Sequence, residues 1–188
     1  MYKKKNREII IGSNNAGKIK EIRDLLPKTY KVFSPKDFKL KSPKENGKSF
    51  LQNSLIKAEY YSKKSGKICI ADDSGLEIDI LDKAPGIFSA RWGGPKGNFN
   101  IAIKKVFSEL NKKDKKWRDK KIFARFVCAL TIFGHKKKPI HSLGIVQGKI
   151  SNKKKGKNGF GYDPIFIPKG GKLTFGQMKP SEKYKIDH

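Results

Sequence analysis

Cysteine is almost missing from this chain, with two in 188 residues. Cys69 and Cys128 each sit singly inside an apolar run (Ile68 to Ile70 and Phe126 to Leu130), so they read as reduced core thiols. That excludes a disulfide framework and a cysteine-based metal site. Long apolar runs are missing too. Nothing approaches the ~18 residues a membrane span needs. The run that follows Lys3, Lys4 and Lys5 is only Ile9 to Ile11, too short for a signal-peptide core. A soluble protein of the reducing cytoplasm, with no membrane association, is the expectation. The remaining shortages are acid and arginine: 17 Asp and Glu face 44 Lys and Arg, a formal charge of +27, yet the arginines are only Arg7, Arg23, Arg91, Arg118 and Arg125. Base readout and bidentate phosphate clamps favour arginine. A chain rich in Lys, Ile and Asn is also what A+T-rich coding tends to produce, so composition stands beside any partner as the source of the charge.

What is present suffices for a core: 36% hydrophobic residues, 11% aromatic, in a chain of ordinary single-domain length. Ile9 to Ile11, ending at Gly12, has the pattern of a strand buried on both faces. From Ala16, the positions Ile19, Ile22, Leu25 and Leu26 recur at helical spacing until Pro27. A second helix spans Ser49 to Ser65, with Phe50, Leu51, Leu55, Ala58 and Tyr61 on one side and Gly66 as its stop. A strand from Ile68 to Ala71 follows, then a loop from Ala84 to Asn100 and a helix from Ile101 to Leu110. After a lysine-rich linker, Lys112 to Lys121, Phe123 to Phe133 and Ile140 to Ile150 read as two strands joined at Gly134 and His135. The class is mixed α/β, with no repeat and no composition break that divides the chain.

Three constellations could carry chemistry. Gly12-Ser13-Asn14-Asn15-Ala16-Gly17-Lys18 lies between strand and helix, where small residues, an open helix N-terminus and a lysine suit a phosphate. It meets most of the pattern G-x-x-x-x-G-K-[ST], but Ile19 replaces the hydroxyl a P-loop uses on Mg²⁺; a plain strand-to-helix turn is the alternative. Residues 68 to 82 contain no Lys or Arg and hold five acids. Within them Asp72 and Asp73 fall at the end of the expected strand, where ligand sites of open α/β sheets form. Alternation would turn one of the pair to a ligand and the other into structure. Close carboxylates share a proton or hold a hard divalent cation such as Mg²⁺; an Asx turn into a hairpin is the competing reading. Finally, Gly159-Phe160-Gly161-Tyr162-Asp163-Pro164 suits a flat ring stacked on Phe160 with Asp163 at its polar edge, or equally a glycine-rich loop with core aromatics.

Taken in order with Glu45-Asn46-Gly47-Lys48-Ser49-Phe50, Asn53 to Ala58 and Ala84-Pro85-Gly86-Ile87-Phe88-Ser89-Ala90-Arg91, these motifs resemble the non-canonical purine nucleoside triphosphate pyrophosphatases, the inosine/xanthosine triphosphatase (HAM1-like) family. The resemblance covers nearly the whole chain. It implies a two-lobed α/β fold around a long mixed β-sheet flanked by helices, with the substrate cleft between the lobes, and a homodimer. It also implies Mg²⁺-dependent hydrolysis of ITP, dITP or XTP to the monophosphate and pyrophosphate, cleansing the nucleotide pool. By the same resemblance Asp73 is the proton acceptor for the attacking water and a Mg²⁺ ligand, and Glu45 the second metal carboxylate. Ser13, Asn14, Asn15, Ala16, Gly17 and Lys18 cradle the phosphates and Ser74 touches the substrate. Lys57 and Lys183 add charge at the phosphate end, and Phe160, Gly161, Tyr162 and Asp163 enclose the base. Rejecting ATP while accepting ITP needs a site matched to a 6-keto group, where a polar mismatch discriminates more strongly than size.

The tail departs from the family pattern, in which a lysine precedes Ser-His-Arg and a closing helix. Here Lys183 and His188 are present, Asp187 stands in place of the serine, and the sequence stops before the arginine. The expectation is one domain over residues 1–188, truncated before that helix, with His188 a base contact or a frayed end. Two other classes stay in view. One is a P-loop-like NTPase, against which Ile19 counts. The other is a basic nucleic-acid-binding protein built on Lys112 to Lys121, Lys136 to Lys138 and Lys153 to Lys157. Those runs lack interleaved aromatics, so no specific nucleic-acid partner is expected.

Overall fold

The computed structural model of the chain describes residues 7–134 and 138–186. Its strands and helices are β1 (Arg7–Ile11), α1 (Ala16–Leu25), β2 (Tyr30–Phe33), α2 (Phe50–Ser65), β3 (Ile68–Ile78), α3 (Phe99–Lys113), β4 (Phe123–Phe133), β5 (Ile140–Ile150), β6 (Phe166–Pro168) and α4 (Pro180–Lys183). One mixed sheet runs in the order β2-β1-β3-β4-β5-β6. β1 is parallel to both β2 and β3, whereas β5 and β6 are antiparallel. The expected α/β class with a long mixed sheet is what the chain forms. It divides into two compact units: residues 1–73 with 129–143, and residues 74–128 with 144–188. β3, β4 and β5 each pass from one unit into the other.

In the first unit, Ile9, Ile10 and Ile11 are buried, as an all-apolar central strand requires. Ile9 pairs with Val32 on one side and Ile68 on the other. Ile10, Ala58, Tyr61, Cys69 and Ala71 form the core there, with Phe33, Phe38 and Phe133 packed against them. β2 was invisible in the pattern because Tyr-Lys-Val-Phe is four residues in a polar stretch; its partner β1 supplies the hydrogen bonds that make it a strand. Both ends of the first helix fall where the sequence places them, with Asn15 as N-cap and Leu26 as C-cap before Pro27. Its apolar stripe does not reach the core. No residue of α1 is buried, and Leu25 is 74% exposed.

The second unit holds the larger core, built from Leu76, Ile78, Val106, Leu110, Phe126, Tyr162, Ile165, Phe166, Phe175 and Trp117, among others. Trp117 gives the lysine-rich linker, residues 112–121, a buried anchor. It sits in a short 3₁₀ turn, 1% exposed and stacked on Phe107 at 5.3 Å. One aromatic among six lysines and an arginine leaves no periodic signal, although truncating such a ring costs about 3 to 5 kcal/mol. α3 begins at Phe99 and ends at Lys113, longer at both ends than the apolar positions alone suggest, because Asn98 caps it by accepting from Asn100 N–H. β4 and β5 coincide with the expected strand pair. His135 and the lysines 136 and 137 of their connection, like Asp187 and His188 of the tail, lie outside the described residues. Both cysteines are thiols: Cys69 is buried, which pushes its pKa up to about 12, and Cys128 is partly buried. No helix among the described residues is long and apolar enough to cross a membrane.

Candidate active site

The strand carrying the acidic pair is longer than the sequence suggests. β3 continues to Ile78, so Asp72 and Asp73 lie inside it and not at its end. The apolar run stops at Ala71, but Leu76 and Ile78 resume the alternation with their side chains fully buried, and this keeps the segment extended. Alternation sends the two carboxylates to different helices. Asp72 meets Lys18 of α1 at 2.5 Å, and Asp73 meets Lys57 of α2 at 3.6 Å. Both carboxylates are ion-paired and both are buried.

Around Asp73 the polar groups come from α2 and the loop before it. Lys57 Nζ also lies 3.4 Å from Glu45 Oε1, so a single buried ammonium faces two carboxylates. Asn53 Nδ2 donates to Asp73 Oδ2 at 3.1 Å, and Asn53 Oδ1 accepts from Gly47 N–H at 2.9 Å. A Cβ on Gly47 would stand 2.7 Å from Asn53 Oδ1, so this close approach requires glycine. The inner face of α2 is therefore Phe50, Asn53, Ser54, Lys57, Ala58, Tyr61 and Ser62. Leu51, expected on that face, is exposed. Hydrophobicity alone misplaces the face because its polar members are satisfied: Ser54 Oγ and Thr131 Oγ1 share a hydrogen bond of 2.7 Å, and Thr131 meets His141 Nδ1 at 2.9 Å. Burial pushes the Asp73 carboxyl above its ordinary range, the Lys57 and Lys18 charges oppose this, and Glu45 adds to the rise.

At the start of α1, Gly12 packs so closely that a Cβ would come within 2.8 Å of Cys69 Sγ and 2.9 Å of Ala71 and Tyr61. Ser13 is buried, and its Oγ accepts from Asn15 N–H at 3.2 Å. Asn15 Oδ1 accepts from the N–H groups of Gly17 (2.9 Å) and Lys18 (3.3 Å). Two donors that the sequence reading reserves for an anion are thus engaged by the cap. Asn14 Nδ2 donates to Ser42 Oγ at 2.8 Å and to Tyr61 OH at 3.4 Å.

In the other unit, Gly159 and Gly161 take φ of +69° and +65°, and a Cβ on Gly159 would run into the Asp163 carboxylate. Asp163 Oδ2 accepts from Phe160 N–H and from Lys183 Nζ, each at 2.9 Å. Lys183 Nζ also lies 5.1 Å from the Phe160 ring centre and 5.5 Å from that of Phe175. Tyr162 is 2% exposed, in edge contact with Phe99, and its OH donates to Ser89 O at 2.8 Å. Ser89 in turn accepts Leu76 N–H at 2.9 Å. Ser89 went unremarked in the sequence, although it stands in a quoted motif; its polar neighbours, Gly86 O, Leu76 N and Tyr162, are distant along the chain or come from backbone. Ser74 is partly buried on β3, next to Asp73.

The Ham1 family model matches residues 9–188. The chain belongs to that family. It is 41% identical over 186 residues to a dITP/XTP pyrophosphatase of Bacillus licheniformis, covering 97% of this chain and 92% of that protein. A protein of the same description from Rhodospirillum centenum is 40% identical over 185 residues, covering 96% and 88%. Among solved structures, the Ham1 protein of Staphylococcus aureus matches with a TM-score of 0.82 at 36% identity, covering 97% of this chain and 92% of that one. A HAM1 protein of Coxiella burnetii matches with 0.84 at 34%, with the same coverage.

Whether this Ham1 chain fits the divalent metal its resemblance implies is decided by the donors. Among the described residues no group of three or more His, Cys, Asp and Glu side chains gathers as a self-sufficient metal cage. Two carboxylates that face one ammonium, Glu45 and Asp73, are instead the hard, incomplete oxygen set that Mg²⁺ accepts when substrate phosphates supply further ligands. The residues fit.

Proposed function

We propose that this Ham1 chain hydrolyses non-canonical purine nucleoside triphosphates, dITP, XTP and ITP, to the monophosphate and pyrophosphate. The observation that carries the reading is Asp73: a buried carboxylate with a raised pKa, held by Asn53 and facing a lysine it shares with Glu45. A carboxyl whose pKa is raised by burial is a better proton acceptor than an ordinary carboxylate. In the proposed step Asp73 takes the proton of a water whose oxygen bonds to the α-phosphorus. The bond from that phosphorus to the bridging oxygen breaks, and pyrophosphate leaves with the electron pair. Lys57 and Lys18 meet the negative charge of the triphosphate, and Asn53 holds Asp73 in register. Glu45 and Asp73 would hold Mg²⁺, which when bound neutralises phosphate charge.

The remaining assignments belong to the same proposal. Ser13 to Lys18 line the phosphates, with the N–H groups of Gly17 and Lys18 exchanging Asn15 Oδ1 for phosphate oxygens. Ser74 contacts the substrate, Lys183 adds charge at the phosphate end, and Phe160, Gly161, Tyr162, Asp163 and His188 serve the base. For Tyr162, whose ring is buried, that service is to hold the loop. The protein works as a homodimer in the cytoplasm. The test is a nucleotide panel with Mg²⁺: pyrophosphate from dITP and XTP in clear excess over ATP is the expected result. Orthophosphate release from ATP would replace this reading with a P-loop-like NTPase.

A further inference from the structure

A pocket of about 290 Å³ opens in the second unit, and none of the residues lining it belongs to the candidate active site. Two stretches of chain build it, one around the Trp117 turn and one at the end of β5. The hydrogen bond from Ile150 N–H to Ile122 O, 2.9 Å, joins them. Five cations line the pocket, Arg118, Lys120, Lys121, Lys149 and Lys155, and no acidic residue does. Of these, Lys120 is paired with Asp114 at 2.6 Å, and Lys121 Nζ lies 4.8 Å from the centre of the Phe123 ring. Trp117 also lines the pocket, and its indole N–H is buried with no acceptor among the described residues. A buried donor without a partner is an uncommon defect in a folded protein, and a ligand oxygen repairs it.

We propose that this pocket binds a small inorganic oligophosphate, with one oxygen accepting from Trp117 Nε1–H, others from Ser151 and Asn152, and the charge met by Lys121, Lys149 and Lys155. Five cations around a half-open pocket lined by no carboxylate favour a compact, multiply charged anion. The volume lies at the lower edge of pockets that take organic ligands, which disfavours a whole nucleotide. A nucleic-acid strand is disfavoured by the aromatic group itself. Strand binding uses exposed rings on which bases stack, whereas Trp117 is 1% exposed, stacked on Phe107 and covered by the Arg118 guanidinium at 4.6 Å from its ring centre. The proposal stands apart from the hydrolase reading, because Asp73, Glu45 and Lys57 take no part in it.

Inorganic tripolyphosphate titrated into the full chain without divalent metal tests it, followed by the indole N–H resonances in a ¹⁵N correlation spectrum. Trp92→Phe assigns which signal is Trp117. The expected result is a saturable shift of the Trp117 indole resonance, kept in Asp73→Asn and weakened at least about tenfold in Lys121→Ala/Lys149→Ala. Lys149→Gln, which keeps most of the side-chain stem, weakens it in the same direction and stands in if the double variant misfolds. An unmoved indole signal overturns the proposal, as does unchanged affinity in the lysine variants. So does an oligothymidylate that shifts the signal at lower phosphate concentration than tripolyphosphate, which would make the surface a nucleic-acid one.

Discussion

Each unit buries an aspartate against a lysine, and the two pairs are built differently. Asp163 and Lys183 meet at 2.9 Å, with Phe160 N–H donating to the same carboxylate oxygen, so one oxygen carries two charge-assisted bonds. Asp73 and Lys57 stand 3.6 Å apart, and the lysine is shared with Glu45 at 3.4 Å. The first is a closed geometry that locks a glycine-rich loop. The second is a loose one, in which burial raises the carboxyl pKa because no single partner compensates it. Identical residue types thus give a structural clasp in one place and, in the other, a loosely held carboxyl, the one proposed to take a proton.

The sharpest break in that comparison is an activity measurement. Asp73→Asn is expected to lower pyrophosphate release from XTP by at least about 100-fold while circular dichroism stays native, because general-base catalysis contributes on that scale. Near-normal turnover would end the assignment of Asp73. Removing the clasp should act first on stability. Asp163→Ala leaves the Lys183 ammonium buried at 5% exposure without its carboxylate and is expected to cost about 3 kcal/mol or more, read from urea unfolding. Asn53→Ala is intermediate, since it leaves Gly47 N–H and one Asp73 oxygen without their partner. We expect a stability loss of about 1 to 3 kcal/mol and a fall in kcat that Asn53→Asp does not restore, because it keeps the acceptor for Gly47 but replaces the donor to Asp73 with a second carboxylate.

The smallest effect concerns pH. Asp73 has a raised folded-state pKa, so between its ordinary value and that raised value the folded chain holds a proton that the unfolded chain has released. Stability therefore falls as pH rises through that window and is recovered as pH is lowered. Unfolding free energies measured in EDTA across mildly acidic pH should carry this slope in the wild type and lose it in Asp73→Asn. An equal slope in both would place the buried charge elsewhere.

Several of these features were legible in the residues. The lysine-free acidic stretch, Gly12 to Lys18 before a helix, and the glycines around Phe160 each break a lysine-rich background, and their order carries the family resemblance. Less was legible where polarity is buried. Asn53, Ser54 and Lys57 form much of the inner face of α2, and a reading that follows apolar side chains chose Leu51 in their place. Trp117 was hidden by its lysine neighbours, although it closes the larger core and lines a pocket.

By itself the sequence determined the α/β class, the ends of α1, β4 and β5, and which residue types stand in the motifs, because caps, alternation and glycine punctuation are local rules. Tertiary structure alone decided that β3 runs on through Asp72 and Asp73, that Lys57 faces two carboxylates, and that Lys183 closes on Asp163. Those outcomes depend on which distant groups satisfy a buried charge, and a charge removed from water takes the conformation in which such partners exist.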